Sequence, residues 1–435
     1  MSPSFNERPY SRQETRTGGL DQVLDLAMLV ALGWYLTPTE FIVSIPLLLG
    51  SRLITWLLLL ISAGFGLQLI LQFSMTRWTM VSLFAFANMT IFGLLHLGRY
   101  FETEVFGNDM LTFFALIAGL VWASTRSNAR VLSGLRLVAT VSTIGLIVTL
   151  VGLRVGFVTP AFGDQRLITP SMYTGTFAVA SLLPVVVVQL PGEKREFSGA
   201  RLLLFVTGLA SVFAAGILSA GRTVTIQGAV ALAVSAAPIF AQRRSKLTAA
   251  ILIVGTLMVV GAAISVFVET SAQVDLLRER AASTTTDDGG RFDELATLLA
   301  QVSSSLATGW GFGSLFDSPV VLEEYGLAAA PHIGVFAYLQ KGGIVIFGIF
   351  ILVPLYICLR RLFQDTSNTI AYGAAGSVAV YMATGFTSGG WFTVQMFIFG
   401  ACLSLATYAN NVLRSHNRYT VHATALAEEV SHKIL

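Results

Sequence analysis

Charged residues are scarce in this sequence. Asp, Glu, Lys and Arg make up only 12% of its 435 residues, whereas 54% are hydrophobic and the mean hydropathy is +0.73. Soluble globular domains carry about 25% charged residues, because their surface must be covered by polar groups. The composition therefore excludes a water-soluble globule and predicts an integral membrane protein.

Cysteine is equally scarce. Cys358 and Cys402 are the only two, and both fall inside apolar stretches. This placement is typical of small buried residues and excludes a disulfide framework. The polar first residues are followed by an ordinary apolar run with no small-residue cleavage site, so we expect no removable signal peptide.

Apolar runs of membrane length recur along nearly the whole chain. A helix that crosses the hydrocarbon needs about 20 mostly apolar residues, whereas a β-barrel strand shows only a short alternating pattern. The sequence predicts twelve helical crossings, at roughly 24–48, 53–73, 78–98, 108–125, 137–158, 171–190, 201–219, 223–241, 247–268, 343–360, 368–387 and 391–411. Pro38 and Glu40 lie inside the first of these, and two short crossings there would invert the topology of everything that follows.

The distribution of Lys and Arg sets the orientation. With the N-terminus in the cytoplasm, eighteen of the 27 basic residues fall on the inner side, as the positive-inside rule requires. We therefore expect a polytopic membrane protein with cytoplasmic tails at 1–20 and 412–435 and membrane helices within 21–268 and 343–411. The remaining segment, 269–342, is predicted to be one large loop on the outer side, containing short helices.

Within this loop, "STTTDDGG" precedes "FDELATLLAQVSSSLATG", whose Leu and Ala spacing predicts an amphipathic helix. Asp293 and Glu294 fall in its first turn, where the helix dipole favours negative charge. Asp287 and Asp288 just before it fit a flexible turn better than a cation site. No outer loop contains an Asp-x-Asp pair, and we expect neither a metal ion nor a cofactor.

Three arginines lie on the predicted outer side, where a lipid headgroup would be. Arg166 precedes the sixth crossing, Arg222 lies in the tight turn before the eighth, and Arg291 opens the amphipathic helix. A guanidinium can bind a phosphate through two parallel hydrogen bonds, so all three are candidate ligands of a diphosphate. The alternative is that each binds lipid phosphate or pairs with an acid such as Asp164 or Asp293.

Four stretches of the sequence carry a family resemblance: "LSAGRTVTIQG", "RLITPSMYTG", "GRFDELATLL" with the following "GWGFGS", and "PHIGVFAYLQKGG". Together they resemble the O-antigen ligase and O-antigen polymerase superfamily of bacterial membrane glycosyltransferases. "LSAGRTVTIQG" is similar to the family's Ser-Arg turn, and "RLITPSMYTG" to its arginine segment before the sixth crossing. "GRFDELATLL" continuing to "GWGFGS" resembles the helix that an arginine opens, followed by a Gly-x-Gly-x-Gly turn. "PHIGVFAYLQKGG" resembles the histidine motif, in which ten residues separate His332 from Gly343.

The resemblance covers roughly residues 160–400, and it departs from the family at a few positions. Ala220 and Gly221 stand where a serine usually precedes the arginine, and Ile333 stands where asparagine commonly follows the histidine. Ser171 replaces an asparagine, and Ile346 replaces the motif's second glycine. These differences leave the predicted class of enzyme unchanged, but they bear on which acceptor it prefers.

The resemblance implies a GT-C-like, all-α polytopic enzyme that transfers a glycan from undecaprenyl diphosphate to a sugar hydroxyl at the periplasmic face. Arg166, Arg222 and Arg291 would bind the departing diphosphate. His332 would be the base that takes the acceptor proton. The alternative for His332 is a helix-start residue that binds backbone or lipid.

Several other side chains are weaker candidates. Glu323 and Glu324 could orient the histidine or the acceptor, or simply be solvated, and Tyr325 could line an acceptor site. Together with Trp310 and Phe312, Tyr325 could also stack on sugar faces, with packing of the loop as the alternative. His96, inside the third crossing, is predicted to be a packed core residue.

The favoured interpretation is a polymerase that elongates a lipid-linked exopolysaccharide or O-antigen chain in contact with membrane lipids. A ligase that transfers the finished chain to the lipid A core differs only in its acceptor. A flippase for the same lipid-linked sugars and a non-catalytic subunit of an export complex remain open. Export or chain-length regulator proteins are possible partners, and nucleic acid is not expected.

Overall fold

The computed structural model describes residues 25, 26, 28, 32, 64, 76–96, 100–156, 170–188, 199–219, 222–242, 290–319, 327–364, 368–387 and 393–407. The crossings predicted at 24–48, 53–73 and 247–268 therefore fall almost entirely outside the described residues. The predicted tails, 1–20 and 412–435, lie outside them altogether.

The described part of the chain is an assembly of apolar helices with one small hairpin. The helices are α1 (Arg77–Leu95), α2 (Thr103–Thr125), α3 (Asn128–Val155), α4 (Pro170–Val186), α5 (Gly199–Leu218), α6 (Arg222–Gln242), α7 (Arg291–Val302), α8 (Ala337–Phe347), α9 (Val353–Gln364), α10 (Thr369–Thr387) and α11 (Thr393–Thr407). The strands β1 (Phe316–Asp317) and β2 (Leu327–Ala328) pair in antiparallel register.

By length and hydropathy, five of the described helices can cross a membrane. They are Arg77–Leu95, Thr103–Thr125, Asn128–Val155, Gly199–Leu218 and the composite Gly334–Gln364. Their outward faces carry large exposed apolar side chains such as Phe84, Ile144 and Leu203, which a bilayer would cover. The chain is an all-α, membrane-embedded protein.

Helices occupy the positions of the nine predicted crossings that fall largely within the described residues, and α3 is one that begins well before its predicted start. This helix begins at Asn128, nine residues before the apolar run that predicted it. Ser127 caps it by accepting a hydrogen bond from the Arg130 backbone N–H, and the Arg130 side chain pairs with Asp25 at 2.6 Å. Hydropathy locates the part of a helix within the membrane, whereas the cap determines where the helix begins.

Helix α10 packs against α4, α6 and α9. Its sequence is rich in Gly and Ala, and small residues let neighbouring backbones approach closely. A Cβ at Gly376 would lie 2.9 Å from Pro184 of α4, and one at Gly385 would lie 2.7 Å from Val335. The last turn of α10 is therefore held against the segment that follows His332.

The glycine turn 309–313 threads between α1, α2 and α8. The backbone N–H groups of Trp310, Gly311 and Phe312 donate to Gln340, Lys341 and Met89 oxygens at 2.8–2.9 Å. Gly311 has φ +82°, and a Cβ there would overlap the backbone of Gly93. This turn attaches the 269–342 segment to the membrane helices through backbone hydrogen bonds. The backbones approach so closely that a side chain at Gly311 would not fit.

A second glycine, Gly343, interrupts the composite helix Gly334–Gln364. Gly343 has φ +70° and ψ −174°, and a Cβ there would lie 2.6 Å from the Thr308 backbone nitrogen. The break separates a short buried segment, which begins with the 3-10 turn Gly334–Phe336, from the following apolar helix. It falls at the residue where the sequence predicts that the tenth crossing begins.

One sequence interpretation needs correction. His96 is not a packed core residue: it lies exposed directly after α1, and its ring Nδ1 is 2.8 Å from the Phe92 carbonyl oxygen. The structure also shows a buried ion pair that the sequence does not indicate: the Lys341 side chain is fully buried and its Nζ lies 2.6 Å from the Asp109 carboxylate. Hydropathy does not reveal such a pair, because its partners are 232 residues apart.

Candidate functional site

His332 is held by a buried carboxylate, that of Glu294. The ring Nδ1 of His332 lies 3.0 and 3.1 Å from the two carboxylate oxygens, and its backbone N–H donates to the same group at 2.8 Å. The Ser318 hydroxyl donates to Glu294 at 2.6 Å. The Glu294 side chain is 1% exposed, whereas that of His332 is 44% exposed. The histidine is thus anchored on one side and open to solvent on the other.

The protonation of Glu294 follows from these contacts. Burial alone would raise its pKa, but the hydrogen bonds from His332 and Ser318 and the charge of the imidazolium outweigh burial and hold the pKa below its ordinary 4.5. An ionised carboxylate can only accept, so the Nδ1 of His332 must carry the hydrogen. In the neutral ring the lone pair is then on Nε2, for which the described residues provide no partner.

Two segments converge on the C-terminal carbonyl of α10. The Arg291 guanidinium donates to the Thr387 oxygen at 3.2 Å, and the Thr223 hydroxyl donates to the same oxygen at 2.9 Å. Carbonyls at a helix C-terminus lack intrahelical partners and attract cations. Because Thr223 directly follows Arg222, this carbonyl brings the first turn of α6 and the first turn of α7 together.

These contacts form one cluster. Arg291 and Glu294 are three residues apart on α7, so they lie on neighbouring positions of the same helix face. Glu294 binds His332, and Arg291 binds the carbonyl at the end of α10. The end of α10 in turn packs against the residues after His332, where Gly385 contacts Val335. We call Arg291, Glu294, His332 and the Thr387 carbonyl the α7 cluster.

The remaining sequence candidates lie outside the part of the chain that the structure describes. These are Arg166, Glu323, Glu324 and Tyr325; Arg222 is described only as the first residue of α6, without its side chain. Of the named candidates, the structure brings together His332 and Arg291. Phe312 is fully buried among core aromatic residues, so packing is its role, whereas Trp310 is only partly buried.

Sequence reasoning missed the partner of His332. It assigned Glu294 to the helix dipole together with Asp293, yet Asp293 is exposed and Glu294 is buried. The signal was present in the spacing. Glu294, Leu298 and Val302 recur every four residues and form the buried face of α7, so Glu294 lies on its apolar stripe. A carboxylate on such a stripe requires a partner, which the pattern could have indicated.

The arrangement suits proton transfer beside an anion. A carboxylate that fixes the imidazole tautomer and would stabilise the imidazolium leaves Nε2 free to take a proton. A guanidinium on the same helix face supplies positive charge nearby. In the described ranges no three His, Cys, Asp or Glu side chains are grouped so that they could hold a metal ion.

The same contacts also have a structural consequence. The bonds from Glu294 to Ser318 and His332 attach α7 to the residue that follows β1 and to the segment that follows β2, and Arg291 caps α10. A test of function must therefore separate loss of chemistry from loss of folding. Comparison of the chain with protein-family models, with curated proteins and with solved structures finds no match.

Proposed function

We propose that this protein is a membrane glycosyltransferase that uses an undecaprenyl-diphosphate-linked glycan as donor at the periplasmic face. The observation that carries the proposal is the α7 cluster: a half-exposed histidine whose Nδ1 is bound to a buried carboxylate, with an arginine one turn away. The identity of the donor is inferred from the sequence resemblance. The geometry of the α7 cluster supports the roles proposed for His332 and Arg291.

In this proposal His332 is the general base. An acceptor hydroxyl oxygen attacks the anomeric carbon of the donor sugar while its proton passes to Nε2 of His332. The bond between that carbon and the diphosphate oxygen breaks, and the electron pair leaves with the diphosphate. Glu294 stabilises the resulting imidazolium, as a carboxylate behind a catalytic histidine does in other enzymes. A positioned base contributes roughly 100-fold to 10,000-fold in rate.

Positive charge serves the leaving group. A diphosphate is already a good leaving group, so the reaction needs its developing charge stabilised and no stronger activation. Arg291 lies in the α7 cluster, and the shared Thr387 carbonyl brings the first turn of α6 to the same place through Thr223. Arg222 and Arg166 complete the diphosphate site in this proposal, which requires neither a metal ion nor another cofactor.

We further propose the complete architecture that the sequence predicts: a GT-C-like fold of about twelve crossings in the bacterial inner membrane, with both termini cytoplasmic. The segment 269–342 would cap a lateral opening for the lipid donor, with Glu323, Glu324 and Tyr325 near the acceptor. We favour a polymerase that adds to a lipid-linked exopolysaccharide or O-antigen chain. Chain-length regulators or export proteins are its proposed partners.

Two rival functions are distinguishable by their residues. A flippase would need ionisable groups along a path through the bilayer, whereas the α7 cluster lies at a helix end beside the loop. Lys341 and Asp109 are ionisable and buried but paired with each other, which fits a structural contact better than a transport path. A non-catalytic assembly subunit would show no transfer by itself.

The test is transfer by the purified protein in nanodiscs, with an undecaprenyl diphosphate oligosaccharide as donor and EDTA present. Longer lipid-linked products would support the polymerase. Transfer only to added lipid A core would instead identify a ligase. If neither acceptor is extended but the donor moves across the bilayer of sealed vesicles, the proposal fails and the flippase stands.

A further inference from the structure

A pocket of about 250 Å³ lies at the other end of α7 from the α7 cluster. It opens between the end of α1 and the turns that follow α7. Its described lining consists of His96, Tyr100, Phe101, Ser304, Ser305, Trp310 and Ser314. The pocket plays no part in the chemistry proposed above.

The lining combines aromatic faces with hydroxyl groups. The rings of Tyr100 and Trp310 have centroids 5.7 Å apart and are inclined by 32°, and both residues are only partly buried. Within the described chain, the Trp310 indole N–H has no acceptor, although indole groups usually find one when buried. A ring with an apolar face and hydroxyl groups at its rim would complement this lining.

His96 adds a polar group of defined orientation. Its Nδ1 is 2.8 Å from the Phe92 carbonyl oxygen, which can only accept, so Nδ1 carries the hydrogen. In the neutral ring Nε2 is then an acceptor suited to a sugar hydroxyl. The described lining residues carry no permanent charge, so their chemistry favours a neutral hydroxylated ligand over a phosphate.

The Tyr100 and Trp310 rings are supported from behind. The Tyr100 hydroxyl donates to Asp317 at 2.9 Å, and the Gln301 amide donates to the same carboxylate oxygen at 2.9 Å. Trp310 packs on the apolar group of Leu298, Val302 and Phe316. These contacts hold both rings in place without a ligand, and a preformed wall reduces the entropy lost when a ligand binds.

We propose that this pocket binds a sugar residue of the glycan chain, as a saccharide subsite separate from the reacting centre. Ten residues of α7 and its extension separate Glu294 from Ser304, which is about 15 Å at the helical rise. A chain of a few sugar rings bound there would reach the α7 cluster. The identity of the chain rests on the proposed function, but sugar binding is measurable without transfer.

The experiment measures binding of the purified protein in nanodiscs to an array of short oligosaccharides from bacterial polysaccharides. Ser304→Trp places an indole in the pocket from an exposed position. Ser303→Trp is the matched control, because Ser303 is the exposed neighbour and does not line the pocket. Trp310→Ala removes part of the aromatic wall and serves as a second variant.

We expect the wild type and Ser303→Trp to bind the same sugars, and Ser304→Trp and Trp310→Ala to bind them at least about tenfold more weakly, which corresponds to about 1.4 kcal/mol. His332→Ala should bind as the wild type does. Absence of sugar binding by the wild type, or equal binding by Ser304→Trp, would overturn the assignment. Binding without any transfer activity would leave the pocket standing and remove the proposed enzyme function.

A role in polymerisation has its own readout. If the pocket holds the acceptor chain, Ser304→Trp should raise the KM for long acceptors with kcat nearly unchanged, because the pocket does not touch the reacting atoms. Acceptors too short to reach the pocket should be used as well as by the wild type. A uniform loss of kcat with all acceptors would instead show that the variant disturbs the α7 cluster, and would contradict the subsite.

Discussion

Glu294 accepts hydrogen bonds from both the ring and the backbone of His332, so one buried carboxylate fixes the position and the tautomer of the histidine. The two residues are 38 positions apart and belong to segments joined through the β hairpin. Their contact orients the histidine. It also attaches α7 to the segment that precedes the composite helix Gly334–Gln364. Each consequence predicts a measurable effect.

The orienting role predicts that Glu294→Gln impairs catalysis more than folding. An amide can still accept from the ring, but it carries no charge to stabilise the imidazolium and can also present its NH2 group. We expect the rate of glycan transfer to fall about 100-fold. Asp293→Asn is the matched control, since it neutralises the exposed carboxylate next in sequence. Equal rates for the two variants would remove Glu294 from the mechanism.

The lowered pKa of Glu294 predicts a pH dependence of stability. A carboxylate whose pKa is lower in the folded state stabilises that state at pH values above its unfolded pKa, ordinarily 4.5. This stabilisation is lost as the pH falls below 4.5 through the folded-state pKa. Thermal unfolding of the wild type should therefore shift to lower temperature in that range. Glu294→Gln should show a smaller shift, and an identical pH profile would contradict the assignment.

The ion pair between Lys341 and Asp109 predicts strong dependence on both partners. The pair is buried, and Asp109 also accepts from the Gly313 backbone N–H at 2.9 Å. Lys341→Met leaves that carboxylate without its cation, so we expect a loss of about 3–5 kcal/mol. Removing the exposed cation in Arg360→Met should cost less than about 1 kcal/mol. The two losses of stability are compared by measuring the thermal unfolding of each variant in detergent.

A double variant tests the same pair. Asp109→Asn combined with Lys341→Met should be more stable than Lys341→Met alone, because no unpaired charge remains buried. Additive losses would show that the two side chains do not stabilise each other.

The glycine turn predicts intolerance of even one methyl group. In Gly311→Ala the new Cβ would overlap the Gly93 backbone, and φ +82° is unfavourable for alanine. We expect a severe loss of folded protein, measured as the monodisperse fraction after purification. Gly107→Ala is the control, since no atom lies within 4 Å of its added Cβ and alanine favours the helix. Normal yields of Gly311→Ala would contradict the packing described for this turn.

Much of the described helical framework was predictable from hydropathy, because an apolar run of membrane length leaves few alternatives. The residues at which the helices begin were less predictable, because a helix cap depends on local hydrogen bonds. Helix α3, for example, begins at Asn128, well before the apolar run that predicted it. The amphipathic pattern also predicted α7, which begins at Arg291 as expected. The resemblance to the family's histidine motif indicated Gly343, and it is the residue where the helix breaks.

The contacts between distant residues were not predictable in the same way. Nothing in the local pattern connects Lys341 with Asp109 or Tyr100 with Asp317, because hydropathy reports depth and not neighbours. His96 shows the converse: a histidine in an apolar run was expected in the core but lies exposed beyond the last turn of α1. Only the spacing of Glu294 on the apolar stripe of α7 carried a usable signal.

The central claim, that His332 is the base of a glycan transferase, is tested most directly by one comparison of transfer rates. The wild type, His332→Ala and His416→Ala, which removes a histidine of the C-terminal tail, are assayed in nanodiscs with saturating lipid-linked donor. We expect His332→Ala to be at least about 100-fold slower than the wild type while its elution profile and donor binding are unchanged, and His416→Ala to transfer at the wild-type rate. Transfer by His332→Ala at the wild-type rate would show that His332 is not the base.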